Sequence, residues 1–300
     1  MANSIEVILN ARSGSHRVEK TRQVLEEVLG RSGRSFQVTL VSGAIIERVA
    51  EEKASSGCEV LVAGGGDGTI CGVAEVALKR GKTLGVLPLG TFNYFARNLG
   101  IPLDLEAAAK VILDGFSVRA PVFDLDGRLV LNNASIGIHP AVLLKRRQVF
   151  RRWGRSQIGA YLSVTMTAFQ RAPRLQVRLR TSEGEVTRET PLVMICSNAF
   201  QMDAFKLVGT ECLEEGQFAL YVARMTGRAT VLRLGMRTLF RRLRSGYDYE
   251  VVCTSEVKIE TRRRYLRAAV DGELEKMKSP LRFRVAPRPL CVLAPRAKAP

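Results

Sequence analysis

One stretch constrains this chain more than any other: Gly64-Gly65-Gly66-Asp67-Gly68-Thr69. It follows the apolar run Val60-Leu61-Val62-Ala63. It precedes a segment in which Ile70, Val73, Ala74 and Ala77 recur at helical spacing. That order reads as strand, glycine turn, helix. Glycines let a second backbone or a ligand approach closely, and the N–H groups of a first helical turn favour an anion. The local chemistry is a phosphate cradle with one carboxylate, Asp67, set inside it. Two common phosphate motifs are excluded. A Walker A loop ending in Gly81-Lys82-Thr83 would need glycine at position 76, which is Val. The G-x-G-x-x-G pattern meets Thr69 in one register and Cys71 in the other. A plain strand–helix turn also needs small residues, but four glycines around one aspartate are more than such a turn requires.

Residues 1–125 alternate strand and helix signals. Apolar runs at 5–9, 36–40, 60–63 and 84–87 are predicted strands, and apolar faces over 18–29, 45–50, 70–79 and 105–113 predict helices. Repeated βα units imply a mostly parallel sheet with helices on its faces. Ligands of such sheets bind at the carboxyl ends of strands. Asn10, Asp67 and Thr91 each follow a strand end and are expected to converge there. From about Asp124 short strand-like runs dominate, at 129–131, 175–179, 192–196, 218–222, 257–259, 266–270, 282–285 and 290–293. Turn signals such as Glu183-Gly184 and Asp271-Gly272 separate several of them. The expected organisation is an α/β domain over 1–125, an antiparallel β-sandwich or barrel over 126–293 with helical insertions near 141–171 and 228–244, and a tail at 294–300.

Gly65-Gly66-Asp67-Gly68-Thr69, followed by Glu75-Val76, resembles the nucleotide loop of the diacylglycerol kinase catalytic family, which includes sphingosine kinases and bacterial lipid kinases, with NAD kinases as more distant relatives. Three further segments fit in order. Asn10-Ala11-Arg12-Ser13-Gly14 is similar to the family's N-P-x-[SA]-G turn, Pro88–Arg97 to P-x-G-T-x-N-D-F-A-R, and Val270-Asp271-Gly272-Glu273 to the late D-G-E. Tyr94 departs from the family aspartate. The resemblance implies ATP and Mg²⁺ as cofactors and a nucleotide site built from Asn10, Gly64, Gly65, Gly66, Gly68, Thr69, Gly90, Thr91 and Asn93. It implies Glu273 as general base, Asp271 as its acidic neighbour near the metal, and a lipid hydroxyl as acceptor in a cleft between the two domains.

From chemistry alone, Asp67 beside phosphates makes sense with Mg²⁺, a ribose hydroxyl or the acceptor proton nearby, or else as a cap of the helix that follows. Asp271-Gly272 taken alone is a hairpin turn. Glu214-Glu215 stands where bacterial relatives carry an acidic turn, and reads as solvated charge.

The net charge is +17, and its placement is uneven. Residues 1–125 hold 14 basic and 14 acidic side chains, whereas 126–300 hold 32 and 15. An anionic partner surface is expected on the second part. Basic residues between Lys145 and Arg155 surround Phe150 and Trp153, and arginines over 237–244 flank a predicted apolar helical face. That combination fits an anionic membrane surface. It would also fit nucleic acid, but no recognisable nucleic-acid module accompanies it, so none is expected as a partner. A homodimer stays open.

Two histidines, His16 and His139, exclude a histidine-rich metal site and read as turn or surface residues. Six cysteines without a C-x-x-C read as reduced thiols. The first residues lack a basic region followed by a long apolar core. No run approaches the ~20 apolar residues of a membrane span. The expected protein is cytoplasmic, attached peripherally to the inner face of the membrane. Two alternatives remain: a kinase of a soluble acceptor such as NAD, and a catalytically inactive lipid- or nucleic-acid-binding protein. Tyr94 and the Glu214-Glu215 turn keep the second open.

Overall fold

The computed structural model describes residues 4–11, 15–30, 33–153, 175–181, 184–224, 228–239 and 241–296. Two compact units are present, one formed by residues 1–122 and 286–300, the other by 123–285.

The first unit is a six-stranded sheet with helices. Its strands are β1 (Ile5–Asn10), β2 (Phe36–Val41), β3 (Val60–Gly65), β4 (Thr83–Pro88) and β5 (Phe116–Ala120), joined by the chain's last strand, Leu290–Ala294. The order is β2-β1-β3-β4-last-β5. Pairing is parallel from β2 to the last strand, and β5 runs antiparallel beside it. β3 is buried along its whole length, as expected for a strand covered on both faces. The helices are α1 (Ser15–Gly30), α2 (Ile46–Ser55), α3 (Asp67–Arg80), α4 (Tyr94–Asn98) and α5 (Leu105–Asp114). α1 packs on α5 and α2 on α3. The ends are set by local chemistry. α3 stops at Gly81, left-handed with φ 63°, and α5 starts where the Asp104 carboxylate accepts from the Ala107 N–H at 3.0 Å.

The run at 290–293, read from sequence as part of the β-rich domain, completes this first sheet instead. Its alternating burial is satisfied between β4 and β5. Periodicity identifies a strand but not which sheet receives it.

The second unit consists of two six-stranded antiparallel sheets. New strands are β6 (Phe123–Leu125), β7 (Arg128–Val130), β8 (Asn133–Gly137), β9 (Leu175–Thr181), β10 (Gly184–Thr190), β11 (Leu192–Cys196), β12 (Phe218–Ala223), β13 (Tyr249–Thr254), β14 (Glu256–Thr261), β15 (Tyr265–Val270), β16 (Glu273–Lys278) and β17 (Leu281–Val285). One sheet runs β10-β9-β14-β17-β6-β7 and the other β13-β12-β11-β8-β15-β16. Buried side chains of both sheets share one core, in which Phe123 and Phe218 meet edge-on at 5.3 Å. Strand β9 shows the alternation: Val177 and Leu179 are buried while Arg178 and Arg180 are exposed.

Among the described residues these sheets are accompanied by the helices α6 (Ile138–Trp153), α7 (Ala199–Ala204), α8 (Glu211–Glu214) and α9 (Arg228–Leu239). Of the insertion expected near 141–171, residues 154–171 lie outside the described residues, as do Arg155 and the side chains of Arg146, Arg147, Phe150, Arg151, Arg152 and Trp153. The helix expected over 228–244 ends at Leu239, and Phe240 lies outside the described residues. Arg237 is not a surface charge. It donates at 2.7 Å to fully buried Asp248, which also faces Arg233 at 3.7 Å. Arg241, Arg242 and Arg244 are exposed.

The expectation of six reduced thiols is corrected at one pair. Cys212 of α8 and Cys253 of β13 form a disulfide, with Cα atoms 5.0 Å apart. A separation of 41 residues hid this pairing. It exists because α8 packs against β12, whose Ala219 stands opposite Cys253. Among the described residues Cys58, Cys71, Cys196 and Cys291 form no disulfide. No described helix is long and apolar enough to cross a membrane.

Candidate active site

Three strand ends of the first unit meet around α3. β3 delivers Gly64 and Gly65, Gly66 caps α3 in extended conformation, and Asp67 opens the helix. From the end of β1, Asn10 Nδ2 donates to Thr69 Oγ1 at 2.9 Å. From the end of β4, the Leu89 N–H donates to the Gly65 carbonyl at 2.9 Å. Of the three residues expected to converge, Asn10 and Asp67 meet around α3, and the loop after β4 that carries Thr91 is tied to them through Leu89.

The turn after β4 is held by Asn93, which is left-handed at φ 51° and only 3% exposed. Its Oδ1 accepts from the Gly90 N–H at 3.0 Å. Its Nδ2 donates to the carbonyls of Pro88 and Gly90 at 3.1 and 3.0 Å. An amide used this fully positions the turn. Thr91, at the tip, is exposed.

This turn is seated directly on the glycine loop. A Cβ added to Gly90 would fall 2.5 Å from Gly66 Cα and 2.6 Å from Asn93 Oδ1. Only a glycine allows two backbones that close. Gly65 is tight for a different reason: its Cβ would meet buried Thr69 at 2.6 Å.

Asp67 ties the two turns together. Its carboxylate accepts from the Asn93 N–H at 2.9 Å and the Phe95 N–H at 3.4 Å. It thus caps α4 across 26 residues, not the helix it opens, which the sequence had suggested as its structural role. Burial raises its pKa above the ordinary value of 3.8, opposed by the backbone amides of Phe95, Asn93 and Tyr94. Tyr94 stacks flat on Phe92 at 5.5 Å.

Asp271 and Glu273 belong to the second unit. Asp271 and Gly272 form the two-residue turn between β15 and β16, both at positive φ, 45° and 83°. The Asp271 carboxylate accepts from the N–H groups of Leu131, Asn132 and Asn133 at 2.8, 2.7 and 3.1 Å. Through that amide nest Asp271 positions the 131–133 segment. Glu273 begins β16 with an exposed side chain. Glu214 and Glu215 are exposed at the end of α8. Among the described residues no cluster of three or more His, Cys, Asp or Glu side chains could hold a metal by itself.

The second unit also contains a cavity of about 290 Å³, lined by residues of β8, β11, β12, α6 and α9, including Ile138, Val142, Met194 and Leu234. The sequence offered no direct signal for it, because its lining comes from separate apolar runs. His139, read from sequence as a turn or surface residue, lines this cavity.

Residues 4–125 match the family model described as the diacylglycerol kinase catalytic domain. Over these residues the chain is similar to the diacylglycerol kinase catalytic domain family. A Pseudomonas aeruginosa protein named "Probable lipid kinase YegS-like" is 40% identical over 136 residues, covering 44% of this chain and 43% of that protein. The chain therefore spans less than half the length of that curated relative. A protein of Staphylococcus aureus named "Diacylglycerol kinase" is 27% identical over 237 residues, 76% of this chain and 73% of its own. The crystal structure of a diacylglycerol kinase from Bacillus anthracis superposes with a TM-score of 0.72 over 99% of both chains at 17% identity, which shows a shared fold. The matched residues contain the Asn10, Asp67, Thr69, Gly90 and Asn93 constellation. Asp271 and Glu273, in the second unit, lie outside the matched residues.

Proposed function

We propose that this protein is an ATP-dependent lipid kinase that phosphorylates a hydroxyl of a lipid such as diacylglycerol. The observation that carries the reading is the seating of Gly90 on Gly66, with the buried carboxylate of Asp67 joining the two turns. Phosphoryl transfer is mostly positioning and charge stabilisation. Two interlocked backbone turns at a helix N-terminus supply the positioning for phosphates. Mg²⁺, when bound, neutralises charge on the phosphate oxygens. The donor chemistry fits it: a desolvated carboxylate beside an anion cradle gains from a cation. Magnesium is commonly held by one or two carboxylates together with substrate phosphates. Asn10 and Asn93 position Thr69 and Gly90 respectively. The apolar cavity of the second unit suits an acyl chain.

Glu273 is assigned the role of general base toward the acceptor hydroxyl. Glu273→Gln is expected to lower kcat by roughly 10²–10⁴-fold with little change in the KM for ATP. A rise confined to that KM would make Glu273 a nucleotide residue. Turnover with labelled ATP and Mg²⁺, on lipid vesicles against NAD, separates the lipid kinase from a kinase of a soluble acceptor. No turnover on either supports an inactive binding protein.

The excess of basic residues beyond position 125 supports peripheral attachment to an anionic inner membrane face. Each basic residue near such a surface contributes ~1 kcal/mol, screened by salt. Co-sedimentation with vesicles is expected to need anionic lipid, weaken across a salt series, and drop when Arg146, Arg147, Arg151 and Arg152 are changed to Ala. Salt-independent binding would show that these residues are only a solvated face.

A further inference from the structure

The cavity of the second unit holds a polar group that the protein itself leaves half used. His139 sits at the start of α6, and its Nδ1 lies 2.7 Å from Ser135 Oγ on β8. Nε2 has no hydrogen-bond partner among the described residues. The other polar side chains around the cavity are already engaged. Asn133 donates to Gln201 at 2.9 Å, Thr238 to the Leu234 carbonyl at 2.7 Å, and Tyr221 to the Val208 carbonyl at 2.8 Å. Tyr249 accepts from the Val208 N–H at 3.3 Å. No charged side chain is among the described lining residues.

Burial lowers the His139 pKa to about 4, so the ring is neutral at physiological pH. A neutral imidazole has one donor and one acceptor. Ser135 takes one, and the other is left for a group that enters the cavity. An oxygen that arrives attached to an apolar ligand can use it. A volume of about 290 Å³ is enough for a stretch of apolar chain.

We propose that His139 is the head-end anchor of this cavity: Nε2 hydrogen-bonds an uncharged oxygen, a hydroxyl or an ester carbonyl, at the polar end of an apolar chain. Ser135 is the positioning residue that holds the ring's plane. The inference rests on the lipid reading above and narrows it to lipids whose chain carries a neutral oxygen next to its apolar part.

The test uses the full chain and two probes. Diphenylhexatriene is a hydrocarbon whose fluorescence rises on burial, and 1-monooleoylglycerol is the competitor that adds neutral oxygens. In His139→Phe the hydrocarbon should bind as in wild type, while monooleoylglycerol should compete roughly tenfold less well or worse. His139→Gln, which keeps an amide donor and acceptor, should recover part of the loss. Equal loss of both probes would assign His139 a purely structural role and overturn the inference, as would unchanged competition. Failure of both probes to bind wild type would also overturn it. Turnover on lipid vesicles, measured alongside, separates the two readings. Turnover without competition at the cavity leaves the kinase standing and removes the anchor, whereas competition without turnover does the reverse.

Discussion

Gly90→Ala is expected to lower nucleotide affinity and turnover together, by roughly 10²-fold or more. The added Cβ would sit 2.5 Å from Gly66 Cα, which is backbone, and 2.6 Å from Asn93 Oδ1, which is held by its own hydrogen bonds. Neither neighbour can step aside cheaply, so the two turns must separate. A misplacement of about 1 Å in a positioning element can cost 10²-fold in rate, and overpacking of this kind costs ~1–3 kcal/mol of stability. Gly66→Ala provides the contrast. Its Cβ would lie 3.4 Å from Gly90 Cα, and its backbone, φ −87° and ψ −179°, is open to any residue. The two substitutions look equivalent in the sequence, yet the second should be far milder. Nucleotide titration and melting curves of both variants check this. A Gly90→Ala protein with wild-type affinity would remove the seated turns from the mechanism.

Asp67→Asn is expected to reduce turnover by roughly 10²–10⁴-fold while leaving the fold intact. Burial, the largest perturbation of this carboxyl, opposes its charge and raises its pKa, against the backbone amides that favour the ionised form. A carboxyl with a folded-state pKa above 3.8 binds its proton more tightly in the folded than in the unfolded chain. Stability therefore falls as pH rises through the window just above 3.8. The ionised Asp67 costs the fold something at neutral pH, which is the pattern of a charge kept for function. The Asn variant keeps an acceptor for the Asn93 N–H and should lack that pH-linked fall. Melting curves from pH 3 to 7, with turnover at pH 7, measure both parts. Full turnover in the variant would show that Asp67 only caps α4.

The parallel sheet, the glycine turn and the convergence of Asn10 with the α3 turn were legible because each rests on local periodicity or a strand end. So was the β-rich character of the second unit. What stayed hidden depends on contacts between distant segments. The sequence suggests that Asp67 caps α3, whereas the fold carries the Asn93 and Phe95 amides to it. Asp271-Gly272 does read as a hairpin turn, but nothing in it announces the three amides of 131–133 that the carboxylate receives. Cys212 and Cys253 carry no spacing signal, and the cavity around His139 is assembled from many separate elements. Arg237 looks like one of several surface arginines until Asp248 is found buried against it.

The first unit's sheet has its own strand near the chain's far end, between β4 and β5. A ribosome therefore releases β1 to β5 well before the strand that must part β4 from β5 exists. Until residues 290–294 emerge, both neighbours expose an open edge, and the intervening 123–285 unit is free to fold first. The nucleotide turns are thus among the earliest segments made and among the last to gain their final support. Removing residues 290–294 would reach the phosphate cradle through β4, which the strand pairs, and through α3, which packs against it.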